Sequence, residues 1–465
     1  MSTSLVAASD QSVSTRLYRS VWRWHFYAGI VVVPFLIVMA LTGVVMLYGN
    51  SIETFLGAKH DVAPGGARAS LAEQSAAAVS AVPGGVLKLV VDPASPDRAT
   101  VFIVDADGTN LVVSVDPHGP RVLDTVVKDD TWFYWASNIH GTLLIGTIGD
   151  RIVEIVAGLG VILVLTGLYM WWPRNGRTFV RALLPNLRAR GRAVWKELHV
   201  SFGFYMSVVL LFFLISGLAW TGIWGERIMQ AWSTFPAEKW DNVPLSDKSH
   251  ASMNHGAMKE VPWALEQTPM PASGSVAGAT GLADGTPVTL ETVAAFARSI
   301  GFDGQFRINV PQGDDGVFTV SADSMDGDTS NATGDRTVHI DRYTGRILAD
   351  VGFSDYSLPG KAMAIGIALH QGNLGPLNTA LNLLFCVFIL FMCVSGVVMW
   401  WKRRPTGRVG APLYPRNFRV PAAILAIAAA VCAAFPVTGL GVALFAIIDF
   451  LLPKRMKEAG AAKEL

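Results

Sequence analysis

The sequence predicts a polytopic α-helical membrane protein. It expects four core transmembrane helices in two tandem halves, a C-terminal hydrophobic helix or hairpin, and two small extracytoplasmic α+β domains. Three observations carry this. The 465 residues are 51% hydrophobic and only 16% charged, richer in apolar side chains and poorer in charge than a soluble average. Four apolar runs, at about 25–48, 150–172, 200–223 and 378–401, are long enough to cross a bilayer, which takes about 20 residues. The residue pattern of the first two runs then returns in the last two.

In chain order the expected organisation begins with a cytoplasmic N-terminus (1–24), a span (25–48) and a first extracytoplasmic domain (49–137). A histidine segment with its span (138–173), a basic cytoplasmic linker (174–198) and a third span (199–223) follow. The second extracytoplasmic domain (224–367) leads into a second histidine segment and span (368–402). A basic linker (403–420), a C-terminal apolar stretch (421–453) and a cytoplasmic tail (454–465) complete the chain. The first run is too long for a cleavable signal core, and no small-residue cleavage site follows it. The stretch 421–453 is too long for one upright helix and contains "FPVTGLG" around Pro436, so it reads as a kinked helix or a hairpin.

Orientation follows from basic residues. Arg16, Arg19 and Arg23 precede the first span, seven Lys/Arg from Arg174 to Lys196 fill the first linker, and six from Lys402 to Arg419 fill the second. The positive-inside rule makes these segments cytoplasmic and places both α+β domains outside. In a Gram-negative bacterium that is an inner-membrane protein with periplasmic domains. A net charge of +1 and the absence of a basic patch interleaved with aromatics give no reason to expect nucleic acid. Cys386, Cys393 and Cys432 all lie in apolar runs and read as small core residues, not disulfides. Several of the 14 tryptophans flank the runs, as in an interfacial aromatic belt.

The repeat is specific. The first span reads "WRWHFYAGIVVVPFLIVMALTGVVML" and the third "WKELHVSFGFYMSVVLLFFLISGLAW". His25, Gly29, Thr42 and Gly43 stand at the spacings of His199, Gly203, Ser216 and Gly217, a shared H-x3-G-x12-[TS]-G. In the other two spans His140 and His370 precede a Gly-rich segment, and each run ends in [TS]-G-x2-M-W-W and basic residues. Between the spans, "SLAEQSAAAVSAVPGG" matches "VTLETVAAFARSIGFDG" as an amphipathic helix. "LVVSVDPHGPRVLDTV" matches "RTVHIDRYTGRILADV" as alternating strands around a turn, with Asp116 and Asp341 equivalent. The chain is a tandem duplication of parallel topology.

This pattern resembles the PepSY-associated transmembrane family, over about 16–405, which includes inner-membrane proteins of iron uptake and siderophore reduction. The α+β modules are then PepSY-like domains. The resemblance implies a membrane-bound ferric (siderophore) reductase.

One histidine at a helix mouth is an ordinary interfacial residue; four at duplicated positions are not. Neutral imidazole is an axial ligand for haem iron, and two histidines from different helices on one face sandwich one haem. The expectation is two non-covalent b-type haems, one held by His25 and His199 near the cytoplasmic face and one by His140 and His370 near the other. No C-x-x-C-H motif exists, so covalent attachment is excluded. Thirteen and fourteen residues after His25 stand Val38 and Met39, and after His199 Phe212 and Phe213, so each helix offers a single histidine. Gly29 and Gly203, one turn inside, would let the ring approach the backbone; tight helix packing is the compatible alternative. Arg23, Arg192 and Lys196 inside, and Arg151 and Lys361 outside, are candidate propionate partners. Zinc fits poorly, because no Cys, Asp or Glu accompanies the pairs. Of the few polar residues in the spans, Glu154 is most simply a partner of Arg151, and Asn382 lies near the outer end of the fourth run.

A separate signal is "HASMNHGAM", with His250, Met253, His255 and Met258. Thioether and imidazole ligands suit copper, and an ordinary flexible loop is the alternative. No Gly-rich nucleotide loop follows a strand, so electrons are expected from a cytoplasmic reductase or a quinol and should reach an extracytoplasmic acceptor such as a ferric siderophore or other metal chelate. No residue is singled out as catalytic. The competing expectations are a non-redox membrane protein whose PepSY-like domains bind a partner or inhibit a peptidase, and a copper-handling membrane protein.

Overall fold

In a computed structural model of the chain, residues 13–56, 61–63, 65–174, 178–230, 239, 242–255, 259–404 and 420–451 are described. The chain divides into a helical unit (Met1–Leu41, Gly141–Glu226 and Leu384–Leu465) and a sheet unit (Thr42–His140 and Arg227–Leu383). Among the described residues four helices are long and apolar enough to cross a membrane. They are α1 (Val13–Leu47), α2 (Gly146–Trp171), α3 (Arg192–Leu218) and α4 (Pro376–Arg403).

Two of these helices begin well before the apolar runs. The segment from Val13 to Arg23 is helical, because arginine is a good helix former and its long stem reaches back to the interface from a buried Cα. His25 is therefore about three turns inside α1, and His199 about two turns inside α3, which starts at Arg192. Neither sits at a helix mouth. His140 and His370 fall in separate shorter helices, Trp132–Thr142 and Leu358–Gln371, placed before α2 and α4.

In the helical unit α2 and α3 pack along each other, with Leu214 against Val161 and Val164. Stacked rings join further turns: Trp171 on Phe204 at 3.7 Å and Phe213 on Phe385 at 4.1 Å between centroids. The C-terminal apolar stretch becomes two helices in contact, Ala422–Ala434 and Pro436–Leu451. The break falls at Phe435, because Pro436 lacks the N–H that would continue the first helix and serves as the first residue of the second. The tail from residue 454 and the linker residues Arg408, Arg416 and Arg419 lie outside the described residues.

The sheet unit corrects one expectation. The two α+β modules are not separate domains: they form one antiparallel sheet of eight strands. The first module gives β1 (Val86–Asp92), β2 (Thr100–Ala106), β3 (Thr109–Val115) and β4 (Val122–Val127). The second gives β5 (Phe306–Asn309), β6 (Val317–Ala322), β7 (Arg336–Asp341) and β8 (Ile347–Gly352). The spatial order is β8-β7-β6-β5-β1-β2-β3-β4. The seam pairs Val90 with Ile308 and Val91 with Arg307. A four-stranded module leaves a row of unpaired N–H and C=O groups on its edge strand, and pairing two such edges satisfies both.

The core is shared across that seam. Val90, Phe102, Val104 and Val113 of the first module and Phe306, Ile308, Val320 and Val338 of the second belong to one buried cluster. The helices Leu71–Ser80 and Leu290–Ser299 lie against each other, each opened by a capping box, Ser70 with Glu73 and Thr289 with Thr292. Asp92 takes Arg68 from its own module and Arg298, at 2.7 Å, from the other. The duplicated turns are alike: Asp116 N–H donates to Arg121 O at 3.0 Å, and Asp341 N–H to Arg346 O at 2.9 Å.

Because Phe306 is fully buried in the shared core, Phe306→Ala should cost roughly 3–5 kcal/mol. Hydrogen exchange should then rise together in β1–β4 and β5–β8; faster exchange confined to β5–β8 would contradict a shared core.

Candidate functional site

Three of the duplicated histidines, His25, His199 and His140, meet hydroxyls of the other span in the same half. In the helical unit His25 Nδ1 lies 3.0 Å from Thr166 Oγ1 on α2, and His199 Nδ1 lies 2.7 Å from Ser395 Oγ on α4. Donor and acceptor follow from counting protons. Thr166 spends its one hydroxyl proton on the Ile162 carbonyl at 2.7 Å, and Ser395 spends its own on the Met392 carbonyl at 2.9 Å. Each oxygen therefore accepts, and each imidazole donates from Nδ1. The lone pair of both rings is left on Nε2, the tautomer that a metal ligand needs. The two imidazoles are within electrostatic reach of each other.

In the sheet unit His140 and His370 face each other with ring centroids 6.3 Å apart and planes at 86°. Two imidazole nitrogens each roughly 2 Å from one metal ion put their ring centroids roughly 6 Å apart. The pair thus has a separation at which both rings could hold one metal ion, such as a haem iron, between them. Thr42 Oγ1 is 2.9 Å from His140 Nδ1. Asn382 donates from Nδ2 to the carbonyls of Leu369 and His370, at 2.8 and 2.9 Å, and so fixes the backbone that carries His370. The helix of His370 ends at Gly372, in the left-handed region at φ +84°, where a Cβ would come within 2.6 Å of Leu47. Burial, and then His140, push His370 down to about 3, so its imidazole is neutral.

The remaining expected residues divide. A Cβ at Gly29 would meet nothing within 4 Å, so the surface of α1 one turn from His25 is open to a flat ring; a Cβ at Gly203 would come within 3.2 Å of Met392 Cε, so this glycine serves helix packing. Arg151 pairs with Asp150 at 2.5 Å and with Glu154 at 3.4 Å, which accounts for its charge. Glu154 also accepts from Trp224 N–H at 3.2 Å. Lys361 donates to Ser354 O at 2.7 Å. Arg23 lies over the Tyr27 ring, and Arg192 Nε donates to Met399 O at 3.3 Å.

These residues are those of a known family. The family model described as the PepSY-associated TM region matches residues 22–403. The chain belongs to this family. No curated protein matches it. The match takes in all four histidines, their hydroxyl partners and the whole sheet, so the duplicated frame seen here is the family's own region.

The His/Met segment is built into the sheet unit. His250 is fully buried, its Nδ1 donating to Thr268 O at 2.9 Å and its Nε2 2.9 Å from Nε2 of His339, a strand residue that the sequence did not single out. His255 Nδ1 meets Glu260 at 3.2 Å, Met253 packs in the apolar core, and Met258 lies outside the described residues. His250, Met253 and His255 line one cavity, together with Glu260, Arg307 and Asp326. The sequence reading placed Thr42, Thr166 and Ser395 in the repeat motifs but gave them no role toward the histidines. The signal was there, since a [TS]-G dipeptide recurs in all four spans.

A cluster of Asp323, Asp326 and Asp328 adjoins this cavity. Arg307 neutralises two of them, at 3.1 Å to Asp326 and 2.9 Å to Asp328. Asp323 is buried, and its Oδ2 has no hydrogen-bond partner. Burial, then Asp328, push its carboxyl up to about 8 from 3.8. The folded state keeps this proton up to the higher value while the unfolded chain releases it at the lower one, so stability falls as pH rises between them. Asp323→Asn removes that slope: its advantage in thermal midpoint over the parent should grow from about pH 5 to about pH 8. A constant difference would show that Asp323 is ionised in the folded protein throughout.

Proposed function

We propose that the chain is a di-haem b-type transmembrane electron-transfer protein that delivers electrons to an extracytoplasmic acceptor. The acceptor is ferric siderophore iron or a similar ferric chelate, and the donor is a cytoplasmic reductase or quinol. The observation that carries this is the His140–His370 pair, with centroids 6.3 Å apart and planes near perpendicular. A haem held there, or between His25 and His199, supplies a one-electron ferric/ferrous couple.

The protein's own residues do the rest. His140 and His370 present their rings from two separate helices, and Thr42 and Asn382 fix one ring and one backbone. His25 and His199 present Nε2 from α1 and α3 because Thr166 and Ser395 take the other nitrogen. Aromatic side chains follow His199 along α3: Phe202 packs on Phe388 and Phe391, and Phe204 stacks on Trp171. Reduction matters to the acceptor because ferrous iron is softer than ferric and is held less well by hard oxygen donors. On this proposal the basic segments face the cytoplasm of a bacterium and the sheet unit stands in the periplasm.

Two results are expected. His140→Ala and His370→Ala should each remove the same haem, and His25→Ala and His199→Ala the other; loss of one haem by variants of opposite pairs would break the assignment. Anaerobically reduced protein, mixed with a ferric siderophore and a ferrous trap, should re-oxidise with a matching yield of trapped iron. Protein that stays reduced with every ferric chelate, yet re-oxidises with cupric ion, would make copper the acceptor.

A further inference from the structure

The four spans share a feature that haem ligation alone does not require: each ends in a hydroxyl residue followed by glycine, Thr42-Gly43, Thr166-Gly167, Ser216-Gly217 and Ser395-Gly396. We propose that these dipeptides are histidine-positioning elements, in which the hydroxyl oxygen takes Nδ1–H and the glycine leaves room for the ring, so that Nε2 is the ligating atom. The proposal rests on the haem assignment made above and adds the residues that set the electronic state of its ligands.

Three of these hydroxyls are seen against a histidine. The bonds are His25–Thr166 at 3.0 Å, His199–Ser395 at 2.7 Å and His140–Thr42 at 2.9 Å. In each case the partners come from the same half of the duplication. In the first half the arrangement is reciprocal. The histidine in the first half of α1 meets the hydroxyl near the end of α2, and the hydroxyl near the end of α1 meets the histidine that precedes α2. Chance polar contacts between apolar helices have no reason to obey this rule in both copies. Ser216 holds the place of Thr42 in the second half, and its hydroxyl donates to Phe212 O at 2.8 Å, four residues back, as Thr166 does to Ile162 O.

That backward bond is what makes the device directional. A serine or threonine inside a helix donates to the carbonyl one turn before it. Its only proton is then spent, and it can act toward the imidazole solely as an acceptor. Had the hydroxyl donated instead, Nδ1 would carry the lone pair, Nε2 would carry the proton, and the ring could not ligate through Nε2. The glycines fit the same design. A Cβ at Gly167 would lie 3.3 Å from His25 Cε1, and one at Gly396 would lie 3.7 Å from His199 Cε1. At Gly167 a side chain would crowd the ring edge, and at Gly396 it would only reach ordinary contact with it.

A hydroxyl is a neutral, modest acceptor. It fixes the tautomer without pulling the ring toward imidazolate, as a carboxylate would. Removing it leaves the ring of His25 only the Leu163 carbonyl and that of His199 only the Met392 carbonyl, which weakens the pull on Nδ1–H, makes the imidazole a poorer donor to iron, and destabilises the ferric form relative to the ferrous. The midpoint potential of the affected haem should therefore move positive. A contact that merely clasps two spans together would change stability and leave the potential alone.

The test uses the full-length protein purified from cells supplied with haem, with redox titration and low-temperature electron paramagnetic resonance of the ferric form. Thr166→Val and Ser395→Ala should keep both haems, raise the ferrous-to-ferric ratio of one haem several-fold at fixed potential, and shift that haem's largest g value. Thr42→Val should move the other haem. Thr166→Ser, which restores the hydroxyl, should return both readouts to the parent values. Gly167→Ala keeps the hydroxyl but presses on the ring, and should shift g with little change in potential, whereas Gly396→Ala only reaches ordinary contact and should leave both readouts near the parent values. Lower thermal stability with unchanged potentials and g values in all of these variants would overturn the proposal and leave a structural clasp. A parent protein that binds no haem would instead remove the assignment on which it rests.

Discussion

An imidazole inside an apolar span must have its N–H taken, because an unsatisfied donor away from water costs about 1–3 kcal/mol. The bonds from His25 to Thr166 and from His199 to Ser395 meet that constraint within the helical unit. Much of the local architecture follows from them. They fix which turn of α2 lies beside α1 and which turn of α4 lies beside α3. They dictate the ring tautomer, and they place glycine where the ring edge comes down. An apolar residue at Thr166 would satisfy the bilayer equally well and would leave His25 only the Leu163 carbonyl.

The second organising fact is duplication. Each half builds its own hydroxyl–histidine contacts, and each builds half of one sheet. Joining β1 to β5 converts two marginal four-stranded modules into one eight-stranded sheet with a common core. It also removes two open edges that would otherwise invite pairing with foreign strands. The same logic applies to charge. Asp92 is compensated by one arginine from each module, so this one cluster is complete only when the two modules join.

Much of this was legible in the sequence. The four spans, the repeat, the capped helices and the equivalent Asp116 and Asp341 turns all leave local patterns: apolar length, periodicity, a capping residue, a turn residue. Three things were not legible, each because it depends on a partner distant in sequence. Thr166 reads as one more small residue until α1 brings His25 against it, 141 positions away. The seam between β1 and β5 leaves no mark, because an edge strand and an interior strand of a Val-rich sheet look alike. His250 reads as a loop ligand next to Met253, yet it is drawn inside by His339, which belongs to a strand 89 positions later. Helix starts were also misjudged. Hydropathy marks where a span enters hydrocarbon, whereas Arg16, Arg19 and Arg23 prolong the helix of α1 outside it.

The central claim is that the placed histidines are haem ligands. The most direct measurement is the visible spectrum of the full-length protein, purified from cells supplied with haem and recorded before and after dithionite. The account predicts a sharp α band and a sharp reduced Soret band of six-coordinate b-type haem, with both lost in the variant that carries alanine at His25, His140, His199 and His370 together. A parent protein with no haem bands, or one whose bands persist in that variant, would contradict it.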